Sequence, residues 1–343
     1  MHLRTISTLA WGLLLVSTTA AARAQDTVVI TSADGKSQLT RQGEIVDYTG
    51  TELKLKTLSG REEPIAAGRV IEIKTDWMAD HLRGRDFSRT GKLEDAVSAF
   101  QQAKEREKRP WARRQIMAEL VECHAERGRF DQAGDEFLRI AAEDPTTPHM
   151  AVIPLPWRAL PPDAALEARA GTWMSAGAKL PAAAVLGASW LLSTSRRGEA
   201  IAALTQQSLK RAAPDDPRLA MLADIQLWRT KIVTAKAEEV ARWQVAIEKM
   251  PPEVQAVGWY VVGDARARLG QAEEASLAYL RVPLIHGRPR AMAADALVAA
   301  GEQLENLGRS DQAAGLYREV LADYPTCSAA SEAQTRLTKL LSK

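Results

Sequence analysis

Two hydrophobic rhythms divide this chain of 343 residues. Between residues 27 and 74, apolar and polar positions alternate. Val28 and Ile30 alternate with polar neighbours. A second run is Glu44-Ile45-Val46-Asp47-Tyr48, and the run from Glu52 to Leu58 has strict period two. Val70-Ile71-Glu72-Ile73-Lys74 closes the segment. Gly35, Gly50 and Gly60 fall at the breaks. Period two with glycine at each break predicts short, half-buried antiparallel strands. From about residue 77 onward the apolar spacing becomes helical, and a motif begins to recur.

The recurrence decides the larger part of the fold. Gly128-Arg-Phe-Asp-Gln-Ala133-Gly-Asp-Glu-Phe137 aligns without gaps on Gly308-Arg-Ser-Asp-Gln-Ala313-Ala-Gly-Leu-Tyr317, and the match runs on to Pro145 and Pro325. Further copies start at Gly91, with Ala96 and Phe100, and at Gly270, with Ala275 and Tyr279. Each position has a physical reason. The glycine ends a first helix, where a left-handed residue is often required. Acidic residues open the second helix near its positive dipole end. The alanine stands where two helices cross closely, and the aromatic four residues later fills the space on the same face.

On these residues, the segment from about 77 onward resembles the tetratricopeptide repeat family. Leu297, Ala300, Gly301, Leu304, Gly308, Ala313, Tyr317, Val320 and Pro325 stand at its signature positions in the last unit. Trp259, Gly263, Gly270, Ala275, Tyr279 and Val282 do so in the unit before it. Units at 77–110 and 114–147 match as well. The spacing departs from the family's: neighbouring signature alanines lie slightly further apart, and the middle of the chain is degenerate. There, Ala182–Leu192 with Gly198–Leu209, and Pro217–Val233 with Ala237–Lys249, are expected to be helical hairpins of the same stack. The fold class expected is mainly α, a solenoid of helical hairpins behind a small all-β domain. Five strands in so short a segment suit a small barrel or a curled sheet, and the β segment looks like an SH3- or Sm-type barrel. So small a unit has a thin core and is expected to lean on the helices that follow.

The expected organisation is a leader at 1–24, the β domain at 25–75, repeats at 76–147, a connector at 148–162 and a repeat array at 163–343. The connector carries Pro148, Pro154, Pro156, Pro161 and Pro162, which favour an extended, stiff path. Its Val152, Ile153, Leu155 and Trp157 predict packing against the helices. At the N-terminus, Leu9 to Val16 is apolar and too short to span a bilayer. Ala22-Arg23-Ala24 then gives a small-x-small cleavage pattern. This reads as a secretory signal peptide, placing the mature chain in the periplasm or cell envelope without an integral membrane segment.

Composition then narrows the function. The 45 basic residues, less Arg4 and Arg23 of the leader, leave 43 against 43 acidic ones. The β segment alone carries seven basic and eight acidic residues between Asp26 and Thr75. Such balance argues against nucleic acid, whose phosphates select a basic footprint. Cys123 and Cys327 show no CxxC spacing, and a free, buried state is expected for Cys123. The histidines do not pair at metal-ligand spacing, and neither a P-loop nor a GxSxG or GxGxxG motif occurs. No metal, no cofactor and no catalytic activity is expected. The tryptophans are expected to be core plugs between stacked helices.

What the resemblance implies is binding of an extended peptide or protein along the face lined by the first helix of each repeat. Carried over by register, that face includes His81, Arg85, Gln115, Glu122, Tyr260, Asp264, Glu302 and Glu305. The function expected is a protein-interaction scaffold or adaptor in the envelope. A structural component that self-associates or attaches through the β domain is the alternative.

Overall fold

Residues 25–211 and 216–342 are described by the computed structural model. The expected leader lies outside them. Alternation produces five strands: β1 (Asp26–Thr31), β2 (Gln38–Tyr48), β3 (Glu52–Lys56), β4 (Glu62–Ala66) and β5 (Val70–Lys74). All neighbours pair antiparallel in the order β4-β3-β2-β1-β5. The long β2 serves two partners. Its first half pairs with β1, and from Glu44 it pairs with β3, with a register slip between Ile45 and Asp47.

Of the two forms expected, barrel or curled sheet, the structure takes the open sheet: β4 and β5 are its two edges. An open sheet this small cannot enclose its own core. Val28, Ile30, Ile45, Leu53, Leu55 and Ile65 form one face, and Trp111 and Ala112 of the helical part complete it. Trp111 Nε1 donates to the Ile45 carbonyl at 3.2 Å. Arg114 donates to Asp47 at 2.6 Å and to the Tyr48 carbonyl at 2.8 Å. The sheet therefore leans on the repeats, as its thin core requires.

Fourteen α-helices follow among the described residues: α1 (Ala79–Arg89), α2 (Leu93–Arg106), α3 (Pro110–Glu126), α4 (Phe130–Glu143), α5 (Ala164–Ala176), α6 (Pro181–Leu191), α7 (Arg197–Ser208), α8 (Pro217–Arg229), α9 (Ala237–Glu248), α10 (Pro252–Arg268), α11 (Ala272–Arg281), α12 (Arg290–Asn306), α13 (Ser310–Asp323) and α14 (Ala329–Leu341). The motif does what its residue types suggest. Gly91, Gly128, Gly270 and Gly308 each end a helix with φ between 70° and 77°. Ala96, Ala133, Ala275 and Ala313 are buried at the crossings, with the aromatic four residues on buried beside each.

A further glycine, one turn or more before the helix end, lets that ring in. A Cβ on Gly84 would lie 2.5 Å from the Phe100 ring, one on Gly263 2.6 Å from Tyr279, and one on Gly301 2.5 Å from Tyr317. Gly263→Val should therefore cost about 1–3 kcal/mol through overpacking. Gly315→Ala, on the open face of α13 with nothing within 4 Å, should gain up to about 1 kcal/mol from helix propensity. Thermal denaturation of both variants checks the contrast, and equal melting temperatures would remove the packing argument.

The middle departs from the pairing expected. α6 packs on α5 as well as on α7, so α5 is an element the hairpin assignment lacked. Its contact with α6 is backbone-close: a Cβ on Gly187 would lie 2.4 Å from the Ala170 carbonyl oxygen. Small residues rather than the signature motif hold this crossing, which is why the motif did not reveal it.

The connector is the structural surprise of the array. One 3₁₀ turn, Met150–Val152, interrupts an otherwise extended path. Met150, Val152, Ile153, Leu155 and Trp157 are all buried. Its carbonyls are read one residue in two. Pro154 O accepts from Trp190 Nε1 at 3.0 Å, Pro156 O from Gln226 Nε2 at 3.2 Å and Arg158 O from Arg229 at 2.7 Å. Trp157 Nε1 donates to Asp295 of α12 at 2.9 Å. The segment thus packs against α6, α8 and α12. No helix among the described residues is long and apolar enough to cross a membrane.

Candidate functional site

The stack returns on itself. The last repeat reaches the first: Thr326 Oγ1 donates to Glu126 Oε2 at 3.4 Å, and a Cβ on Gly91 would lie 2.5 Å from Thr326 Cγ2. Beside this contact, α1 and α3 face the approach to α12 and the end of α13 across a cleft of about 740 Å³. A second cleft of about 750 Å³ lies on the other side of the same meeting line and shares Glu126 with the first.

The floor of the first cleft is one face of α3. Glu119, Glu122 and Glu126 stand three and then four residues apart, a spacing that brings helical side chains onto one side. Their surroundings differ sharply. Glu119 accepts from His81 Nε2 at 2.8 Å, from Arg85 at 2.7 and 3.0 Å and from Gln115 at 3.0 Å. Burial alone would raise its pKa; the hydrogen bonds from His81 and Arg85 overcome that and hold it at about 2. Among the described residues, Glu122 pairs with the Arg288 guanidinium, 3.1 Å from Oε2, while its Oε1 is buried without a hydrogen-bond partner. Burial, opposed by Arg288 and reinforced by the charges of Glu126 and Glu119, pushes Glu122 up to about 7. Glu126 faces Arg290 at 3.3 Å and is also raised, chiefly by burial. Arg290 donates to the Asp323 carbonyl at 2.6 Å and lies over the Tyr324 ring, 5.0 Å from its centroid.

Between about 4.5 and about 7 the folded chain holds a proton on Glu122 that the unfolded chain has released, so this group lowers stability progressively as pH rises through that interval. Glu122→Gln mimics the protonated form. It should raise the melting temperature at pH 8 and change it little at pH 5. A loss at pH 8 would mean that the Arg288 pair outweighs burial.

The eight residues expected to line a binding face fall into three groups. His81, Arg85, Gln115 and Glu122 converge on the α3 side of this cleft, although His81 is fully buried beneath it. Tyr260 and Asp264 lie elsewhere, on α10. Tyr260 is buried edge-on against Tyr279, and Asp264 accepts the Tyr279 hydroxyl at 2.6 Å and borders a small pocket with Arg158 of the connector. Glu302 and Glu305 lie on α12 beneath α14: both pair with Arg336, and Glu305 accepts the Tyr317 hydroxyl at 2.6 Å. These last four are engaged within the fold, with the repeat's own tyrosines or neighbouring helices as partners.

Glu119, Glu126, Arg288, Arg290 and Tyr324 stand in the cleft without having been expected there from the sequence. The two glutamates were within reach, since they continue the helix face that already included Gln115 and Glu122. The arginines were not, because the closure that brings them to α3 spans more than 160 residues. Cys123 and Cys327 are both free and buried, and burial pushes both thiols up to about 12. Among the described residues, no group of three or more His, Cys, Asp or Glu is placed to hold a metal ion.

Among curated proteins, none matches this chain. A family model does match part of it: residues 295–326, covering most of α12, all of α13 and the turn after it, are similar to the tetratricopeptide repeat.

Proposed function

We propose that this chain is an exported adaptor of the periplasm or cell envelope, which binds a segment of a protein partner in the cleft between α3 and the approach to α12. The tetratricopeptide repeat match supports protein interaction as the role. One observation carries the choice of surface. The faces of α6, α8 and α12 that meet the connector are already occupied by the chain itself, with Met150 and Val152 to Trp157 buried, whereas the cleft between α3 and the approach to α12 stands open. The export part of the reading rests on the leader pattern at 1–24. Catalysis is not part of it.

The test uses the full chain, because removing residues 25–75 would strip the cover from Trp111 on α3. Tagged protein is cross-linked in its native envelope and compared with Ser88→Trp/Ala322→Trp, which places bulk in the cleft and leaves its charges unchanged. One protein partner is expected, with retrieval reduced at least about tenfold by the double variant. Unchanged retrieval would move the partner to another surface. Recovery of the chain in the cytoplasmic fraction would sink export.

A second reading draws on the open edges of the sheet. Both β4 and β5 have one unpaired side, and such edges template association. In this reading the sheet, likened to an SH3- or Sm-type domain, mediates self-association or attachment. Retrieval of the chain by itself alone, with a dimer mass in light scattering, would favour it.

A further inference from the structure

Charge alone does not say what the cleft would take, because acids and bases are balanced around it. The pairing does. Every guanidinium lining the cleft faces a carboxylate: Arg85 faces Glu119, Arg89 faces Asp86, Arg288 faces Glu122 and Arg290 faces Glu126. An anion taking Arg85, Arg288 or Arg290 would have to break such a pair and leave a buried carboxylate uncompensated, which is costly; Asp86, opposite Arg89, is exposed. The acids are not equally served. Glu122 is 8% exposed, yet among the described residues its Oε1 has no hydrogen-bond partner. The unmet demand in this cleft is for a donor, and for a positive one.

We propose that the cleft receives a basic side chain, lysine or arginine, from an extended segment of the partner, with Glu122 as its acceptor and Arg288 as the internal group it displaces. This rests on the adaptor reading above. Arg288 is suited to displacement: its side chain is half exposed, it precedes α12 rather than lying within it, and among the described residues its ion pair is with Glu122. The incoming cation sits among Glu122, Glu119 and Glu126 on α3, Arg288 before α12 and Arg290 at its first residue. The two outer glutamates keep Arg85 and Arg290, so the vacancy is specific to Glu122. A cation at that carboxylate favours its ionised form, and binding below neutral pH should release a proton. Tyr324 flanks the cleft and offers apolar surface to the methylene stem of such a side chain.

The full chain is titrated with acetyl-Gly-Arg-Gly-amide and, as the opposite charge, acetyl-Gly-Glu-Gly-amide. Calorimetry at pH 6 is run in two buffers of different ionisation enthalpy. The basic peptide should bind with a heat that differs between buffers, reporting the released proton, and the acidic peptide should not bind. Glu122→Gln should weaken the basic peptide at least about tenfold at pH 6 without lowering the melting temperature there. Arg288→Ala, which vacates the acceptor, should bind at least as well as the unaltered chain. Three results overturn the inference: equal binding by Glu122→Gln, preference for the acidic peptide, or no binding of the basic peptide at millimolar concentration. The adaptor reading fails separately. A partner retrieved from the envelope as well by Glu122→Gln as by the unaltered chain leaves that reading standing and removes this one. Peptide binding with no partner retrieved does the reverse.

Discussion

Trp157→Ala should destabilise the protein by about 3–5 kcal/mol, the range for deleting a large buried aromatic. The side chain is 4% exposed and belongs to the largest apolar cluster of the chain. Its loss has a second consequence. Asp295, itself buried, accepts the indole N–H at 2.9 Å; without it, Arg158 at 3.4 Å is its remaining charged neighbour. A buried carboxylate short of a donor adds to the cavity term. For a chain of this size the melting temperature should fall by on the order of 10 °C. Trp157→Phe separates the two contributions, since it keeps most of the volume and loses the N–H; about 1–2 kcal/mol is expected from it. Urea denaturation of both variants, followed at the remaining tryptophans, checks the order. A loss under about 1 kcal/mol for the alanine variant would show that the connector is a tether lying on the array. The larger loss would make it a strut on which the hairpins are assembled, and so a segment no partner could replace.

That strut also marks the boundary of what the sequence could show. Prolines 154, 156, 161 and 162 announced an extended path, and Val152 to Trp157 announced burial. Both are local properties, and both are found. The helices that receive the segment, α6, α8 and α12, lie up to 138 residues from the groups they contact, and no periodicity encodes that distance. The repeats divide along the same line. Where a close helix crossing is made by the motif's alanine and aromatic, as at Ala313 and Tyr317, the pattern revealed it. Where the crossing rests on Gly187 against the Ala170 carbonyl, the residue types were uninformative, and α5 was not paired. The candidate face was half legible for a related reason. The register placed His81, Arg85, Gln115 and Glu122 on one side of the array, and they are together. It placed Asp264 and Glu305 there too, without the information that the tyrosine of each repeat would claim them. The open sheet follows the same logic: five strands were legible, and their closure against Trp111 rather than against each other was a tertiary choice.

Glu119→Ala should cost about 3–5 kcal/mol, because it removes one side of a buried charged cluster and leaves the others behind. His81 is fully buried, and Arg85, Gln115 and His81 all donate to this carboxylate. The pH dependence gives an independent measure of the same interaction. The carboxyl sits at about 2 in the folded chain against 4.5 for the free group, so the folded state binds the proton less readily. The stability it supplies is present above about 4.5 and is lost as pH falls from there through about 2, amounting to about 3 kcal/mol over the interval. Glu119→Gln should therefore remove part of the acid dependence of the melting temperature, with the largest difference from the unaltered chain above pH 5 and convergence toward pH 2. Parallel curves across that range would mean that Glu119 is held by packing and not by its charge. The position of this cluster gives the result a functional edge. Arg85 is fixed by Glu119 at the rim of the cleft, stacked 5.0 Å from the Trp77 ring centroid. Without Glu119 it becomes the one lining arginine with no carboxylate opposite. The cleft should then admit the acidic peptide it otherwise rejects, so that a residue buried beneath the surface decides which sign of charge the surface accepts.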